Sequence, residues 1–199
     1  MDKLFGLNRD EFNRNYNDYI YDCDTNNIKW TCLNYQELMK FYQQNYVDKN
    51  NNIGYWISDK NINAFNPFGL HYLAFNERNN YTKYLLGLAR NTVGTYTIIC
   101  CITFYDDYYF NELFNDVTFI DTVETNFFFQ DMGLTKEMFN VLPHFINLKN
   151  EIIITDEVRQ GKKCHVINNL RKTFKDNKIH TKIMSEKEAN SISYKKNFK

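Results

Sequence analysis

Proline is scarce in this chain, with two among 199 residues, against a usual content of about 5%. No apolar run approaches the ~18–20 residues of a membrane-spanning helix. Met1 to Gly6 lacks the charged-then-apolar order of a secretory signal. These absences set the expectation of a cytoplasmic protein that does not engage a membrane. The five cysteines, at positions 23, 32, 100, 101 and 164, are odd in number and include no CxxC pair. That pattern argues against a disulfide framework or a zinc site, so no metal is expected. The thiols read as reduced and mostly buried. Adjacent Cys100 and Cys101 would point to opposite faces of a strand.

What is present is ordinary in bulk. Hydrophobic residues make up 43% and charged residues 24%, close to globular averages. This excludes a wholly disordered, collagen-like or coiled-coil chain. The length fits one domain, 1–199, with enough chain to bury a sizeable core. Asparagine occurs 29 times, and Lys, Ile, Tyr and Phe are also plentiful, a bias that suits an AT-rich coding sequence. Aromatic residues reach 17%, so the core is built largely from rings. Net charge is zero but unevenly spread. Residues 159–199 carry 12 Lys and Arg against three Asp and Glu, a net +9, and the remainder of the chain carries the balancing −9. A basic tail opposite an acidic body points to an anionic partner, to the protein's own acidic face, or to a solvated helix.

Along the chain, residues 1–66 read as a divergent, helical N-terminal part. Residues 10–21 are weakly amphipathic. Residues 34–47 form a better helix, which Asn34 can cap with Glu37 three positions on. Residues 55–57 and 70–75 are short strand candidates. Residues 84–90, 95–105 and 117–125 are richer strand signals and imply an antiparallel meander. Residues 135–148 show helical spacing interrupted by Pro143, where a kink or early break is expected. Residues 151–155 are a β-branched run typical of a buried strand. A second helix over 160–175, a strand within 179–184 and a loose tail over 187–199 complete the reading. The order implies an α/β fold: a mixed, mostly antiparallel central sheet flanked by helices, with an N-terminal helical extension.

The segment that carries chemistry runs from Phe119 to Met138. A strand enters a short loop containing Gln130, Gly133 and Thr135, and a helix follows. Such a junction gathers unpaired backbone N–H groups at the positive end of the helix dipole, an arrangement suited to phosphate. Glycine at 133 would let the main chain approach a ligand closely. Here Gln130-Asp131-Met132-Gly133-Leu134-Thr135 resembles the pyrophosphate loop of the GNAT superfamily of acetyl-CoA-dependent N-acetyltransferases, Gln/Arg-x-x-Gly-x-Gly/Ala, between the fourth strand and the next helix. The resemblance covers roughly residues 84–174. It implies acetyl-CoA as cofactor, with the amides of Met132, Gly133, Leu134, Thr135 and Lys136 cradling the pyrophosphate beside Gln130 and Asp131. It also implies that Thr125, Asn126 and Phe127 pair with the pantetheine arm. The chain departs from the family at Thr135, at Phe127 where proline is common, and in residues 160–175, which lack the tyrosine that often serves as general acid.

In acetyl transfer a base removes a proton from the acceptor amine, the nitrogen attacks the thioester, and an acid protonates the leaving thiolate. Glu124, on the strand leading to the loop, is the first base candidate. Asp121 is the second, expected on the opposite face. Cys164, with His165 at the start of the 160–175 helix, could replace the tyrosine. Asp106 and Asp107, in the aromatic run 105–110, could attract an amine, and Lys162, Lys163, Arg171, Lys172 and Lys175 could meet phosphates. The resulting expectation is an acetyltransferase acting on an amine of a small molecule, a protein or an aminoacyl-tRNA, with a homodimer as an allowed assembly. Two alternatives remain open: a non-catalytic interaction or inhibitor protein on a GNAT-like scaffold, and an RNA-binding protein using the basic C-terminal region.

Overall fold

The computed structural model describes residues 24–38, 40, 81–90, 96–125, 129, 131–155, 158–159, 162–163 and 166–197. Its strands are β1 (Asp24–Asn34), β2 (Thr82–Arg90), β3 (Tyr96–Tyr108), β4 (Val117–Thr125), β5 (Glu151–Ile154), β6 (Val158–Arg159), β7 (Lys162–Lys163) and β8 (Ile183–Ser185). Its helices are α1 (Leu134–Val141), extended by a 3-10 turn at Leu142–His144, then α2 (Val166–Asp176) and α3 (Glu186–Asn197). Six strands form one mixed sheet in the order β1-β2-β3-β4-β5-β8, and β6 and β7 form a separate two-stranded ladder.

β1 to β4 pair antiparallel, and β4, β5 and β8 pair parallel. A parallel pair needs a crossover, and α1 and α2 supply the two. Crossovers of one hand stepping the same way across a sheet fall on one face, and α1 does pack against α2. Alternation along β5 shows the two layers. Ile152 and Ile154 join the main core with Leu134, Met138, Phe139, Leu170 and Phe174. Ile153 joins a second cluster with Phe114, Val117, Met184 and Ala189 of α3. The sheet therefore carries α1 and α2 on one face and α3 on the other. Among the described residues, no helix is long and apolar enough to cross a membrane.

The meander and the buried β-branched strand appear where the sequence places them. Pro143 acts as expected: α1 stops at Val141 and the chain tightens into the 3-10 turn, whose first residues accept a proline without losing a hydrogen bond. The cap at Asn34 is also present. The Glu37 amide donates to Asn34 Oδ1 at 2.9 Å and the Asn34 amide to Glu37 Oε2 at 2.9 Å, opening a helical turn at residues 35–38.

Three expectations are corrected. Residues 24–34, assigned to a helical N-terminal part, form the edge strand β1, because Trp30 to Asn34 pair residue by residue with the apolar segment of β2. α2 begins at Val166 rather than residue 160, since β6 and β7 occupy the segment before it. Residues 187–199, expected as a loose end, are helical to Asn197. The signal there was a second capping box. The Glu188 amide donates to Ser185 Oγ at 3.1 Å, and the Ser185 amide to Glu188 Oε2 at 2.7 Å. The candidates at 10–21, 55–57 and 70–75, and most of 34–47, lie outside the described residues.

One glycine is required by packing. A Cβ on Gly87 would lie 2.5 Å from Cys100 Sγ and 2.9 Å from the Trp30 ring. Trp30, Gly87 and Cys100 share a cross-strand row, so the indole of the edge strand lies over the missing side chain. Gly87→Ala is expected to destabilise the fold by about 1–3 kcal/mol through overpacking, read as a lower urea midpoint at unchanged slope.

Ser185→Ala should cost about 1 kcal/mol and speed amide exchange in α3. The Ser185 amide, together with Arg171, holds the Glu188 carboxyl below its ordinary 4.5. A depressed carboxylate stabilises the fold above its ordinary value and loses that effect as pH falls through its folded value. The Glu188→Gln penalty should therefore shrink when unfolding is measured below about pH 4, whereas the Ser185→Ala penalty, which comes from the hydroxyl accepting the Glu188 amide, should change little with pH.

Candidate functional site

β4 is held differently along its two halves. β3 pairs with it from Val117 to Thr125, but β5 pairs only with Val117 to Ile120. The last bond on that side is the Thr155 amide to the Ile120 carbonyl at 3.0 Å. The β4–β5 ladder ends there, whereas the β3–β4 ladder continues to Thr125. At the same point the β3–β4 register skips one residue: Thr103 lies opposite Thr122 and Phe104 opposite Ile120, with Asp121 at the skipped position. Such a bulge bends and twists a strand and re-aims its side chains.

The chain from β4 then reaches α1 through two residues at positive φ, Asp131 at 64° and Gly133 at 78°. Gly133 is the N-cap of α1 and supplies no capping side chain. Its carbonyl accepts the amides of Lys136 at 3.0 Å and Glu137 at 3.3 Å. The first amides of a helix have no acceptor within it, and those of Leu134 and Thr135 hold these positions. The Lys136 amide is thereby withdrawn from the expected cradle. The space around Gly133 is open: a Cβ built there meets nothing within 4 Å. Met132 is half exposed, the Leu134 side chain is anchored in the core, and Asp131 and Lys136 are exposed. The candidate site therefore consists of the end of β4, beyond its ladder with β5, and the start of α1, in chain order. In a parallel strand-helix-strand unit the helix start lies at the carboxyl ends of the strands, where open α/β sheets bind ligands.

No family model, curated protein or solved structure matches this chain. The site is accordingly read from its own geometry.

Glu124 is 3% exposed, so it is a buried carboxylate and not a solvent-facing one. It lies directly opposite Cys101 across the β3–β4 ladder. Burial, and after it the Glu124 charge, holds the Cys101 thiol far above the ordinary thiol range. Cys100 points the other way, as expected of strand neighbours. Burial raises it, and the Glu137 carboxylate of α1 adds to that. Glu124 therefore faces away from α1, while Thr125, opposite Cys100, lies on the α1 side. Asp121 departs from the expected alternation because it is the bulged residue. Burial raises the Tyr84 phenol first, followed by the charges of Cys101, Tyr105, Tyr35 and Asp121. Tyr84 belongs to the Cys101 face, since Leu86 opposite Cys101 and Tyr84 opposite Thr103 are two residues apart. The bulge thus brings Asp121 into the electrostatic neighbourhood of the face that carries Glu124.

Several other candidates have structural duties. Asp106 accepts Thr118 Oγ1 at 2.8 Å and pairs with Lys83 Nζ at 2.9 Å. Asp107 Oδ1 accepts Asn150 Nδ2 at 2.9 Å. Asp106 is part-buried and Asp107 is exposed. Arg171 donates Nε and Nη2 to the Ile183 carbonyl and pairs with Glu188 at 2.6 Å, so it fastens β8 and α3 rather than a phosphate. His144 and His180 are exposed. Asn126, Phe127, Gln130, Cys164, His165 and His71 lie outside the described residues, as do the side chains of Lys162 and Lys163. Sequence reasoning missed the polar face formed by Tyr84, Cys101, Thr103, Thr122 and Glu124. Its only advance signal was the count of Thr and Cys at alternate positions in strands otherwise full of Ile and Leu.

The thiols give a direct check. Burial raises Cys32 to about 11 and carries Cys100 and Cys101 higher still, from an ordinary 9.0. A thiol is nucleophilic only as thiolate. Cys100 and Cys101 should therefore resist iodoacetamide at about pH 8 in the native protein and react fully once unfolded, as read by peptide mass mapping. Because these pKa values are raised, their contribution to stability is complete below about 9 and is lost as pH rises further. The urea midpoint should accordingly fall in alkaline buffer.

Proposed function

We propose that this protein is an N-acetyltransferase of GNAT type, moving an acetyl group from acetyl-CoA to an amine by direct attack. The observation that carries the reading is the parting of β4 from β5 at Ile120, followed by an α1 start whose Leu134 and Thr135 amides lack intrahelical acceptors. A strand edge pairs readily with an extended chain of amides. The pantetheine arm is such a chain, and the edge Asp121–Thr125 is long enough to hold it. The uncapped helix start offers backbone donors and the positive dipole end to the pyrophosphate. The six-stranded sheet, antiparallel up to β4 and parallel after it, supplies the strand, loop, helix, buried strand and helix that the Gln130–Thr135 resemblance implies.

In this reading the thioester lies beside the β4 edge. The acceptor nitrogen forms its bond to the acetyl carbon, the C–S bond breaks, and the proton lost by the amine passes to Glu124. At 3% exposure, Glu124 receives that proton through an intervening water. Asp121, at the bulge, is the second carboxylate proposed to act on the amine. The CoA thiolate leaves with a proton from a donor other than a tyrosine of α2, which has none. This last feature, with Glu124 buried, also favours the second reading: an interaction protein that retains the scaffold without turnover.

Titration calorimetry with acetyl-CoA tests the proposal. Gly133 sits at positive φ with open space around it. Gly133→Asn tolerates that backbone and should keep micromolar binding, whereas Gly133→Glu places a carboxylate where phosphate belongs and should abolish it. With an acceptor amine, Glu124→Gln should lower kcat on the order of 100-fold. Failure of well-folded wild-type protein to bind acetyl-CoA would remove the acetyltransferase reading. Binding without turnover against a broad amine panel would select the non-catalytic one.

A further inference from the structure

We propose that this protein forms a two-fold symmetric homodimer through the amino end of its parallel strands, where the acidic, aromatic β3–β4 loop of one protomer meets the lysines at the end of α2 in its partner. The inference does not depend on the acetyl-transfer reading, because the candidate site lies at the opposite, carboxyl end of β4.

Topology gathers this surface. β4, β5 and β8 run parallel, so the β3–β4 loop, the segment after α1 and the segment after α2 all return to the same end of the sheet. β2 starts there too, since Thr82 lies opposite Tyr105. Side-chain contacts fasten these segments to one another. Asp107 Oδ1 accepts Asn150 Nδ2 at 2.9 Å, the Leu148 carbonyl accepts Thr181 Oγ1 at 3.3 Å, and Lys182 Nζ pairs with Glu151 at 3.0 Å. Lys182 Nζ also lies 5.4 Å from the centre of the Phe114 ring.

The apolar exposure of the sheet end is unusual for a solvent face. Tyr81, Tyr108, Tyr109 and Leu148 are 77%, 38%, 61% and 42% exposed, and they are four of the seven exposed large hydrophobic residues among the described residues. Exposed apolar groups gathered in one place mark association surfaces, and tyrosine is enriched in them. The loop is shaped before any partner arrives. The Tyr108 ring stacks on Phe119 with centroids 5.2 Å apart, the Phe110 amide donates to the Phe114 carbonyl at 2.9 Å, and the Leu113 amide donates to Asn111 Oδ1 at 3.0 Å. A pre-shaped loop loses little freedom on docking.

Charge identifies the occupant. Asp107, Glu112 and Asp116 on the loop are exposed and make no ion pair among the described residues. Further along the strand order, Lys149 before β5, Lys175 in the last turn of α2 and Lys178 just beyond it are exposed and likewise outside any ion pair among the described residues. Asp176 is the exposed carboxylate beside them. The loop carboxylates repel phosphate, which turns nucleic acid away from the tyrosines. A surface with an acidic half and a basic half is complementary to itself. A two-fold rotation lays each half on its opposite in the partner, as an isologous interface requires.

Sedimentation velocity of the full-length protein over a concentration series tests this. A monomer–dimer equilibrium is expected, and raising salt from about 0.05 to about 0.5 M should weaken it by screening the facing charges. Tyr109→Ser should weaken the dimer by about 10-fold or more. Glu112→Lys with Asp116→Lys, and separately Lys175→Glu with Lys178→Glu, should each weaken it by setting like charges against each other. All four substitutions together put opposite charges face to face again and should recover the dimer. The altered side chains are exposed, so the unfolding midpoint of every variant should stay near that of wild type. A protein that is monomeric up to its solubility limit overturns the proposal, as does a dimer indifferent to these substitutions. A monomer that instead binds an oligolysine peptide, with loss of binding in Glu112→Lys with Asp116→Lys, assigns the surface to a basic partner and also overturns it.

Discussion

The architecture turns on one hydrogen bond position, the Thr155 amide on the Ile120 carbonyl. Up to that bond β4 is an interior strand, fixed on both edges. After it only the β3–β4 ladder continues. The bulge at Asp121 coincides with the release and turns the strand as it leaves its neighbour. The positive-φ residues Asp131 and Gly133 then deliver the chain into α1 without a capping side chain. The end of β4 beyond its β5 ladder and the start of α1 thus follow one another in the chain.

Leu134, Met138 and Phe139 anchor α1 in the main core, and α2 packs beside it. The parallel strands β5 and β8 are short, but Arg171 and the Ser185–Glu188 capping box fasten β8 between α2 and α3. The two faces of β4 differ in chemistry. Thr125 lies on the α1 side, whereas Thr122 and Glu124 lie with Thr103 and Cys101 on the other. A ligand along the β4 edge would have helix amides towards one end and a buried carboxylate on the opposite face.

Much of this was legible from residue patterns. The strands β2 to β4, the buried Ile152–Ile154 run, the break at Pro143 and the Asn34–Glu37 cap all follow from local rules, in which hydrophobic period, ring geometry or side-chain chemistry decides the outcome. The signals that were missed depend on contacts distant in sequence. β1 is polar and asparagine-rich and becomes a strand only because β2 offers it an apolar partner. The Asp121 bulge is a property of the β3–β4 register, which no single strand reveals, so Asp121 and Glu124 were assigned to opposite faces by simple parity. The pairing of Cys101 with Glu124 was hidden for the same reason. Ser185–Glu188 is the exception: its spacing matched Asn34–Glu37, but a strand of three residues before it gave no reason to start a helix there.

The central claim is that the β4 edge and the α1 start form one ligand site. Amide hydrogen exchange on the full-length protein, with and without saturating acetyl-CoA, addresses it most directly. The account predicts slowed exchange confined to Asp121–Thr125 and Leu134–Thr135, with β1, β2 and α3 unchanged. Binding that leaves those two stretches at their unliganded rates and protects another surface would contradict it.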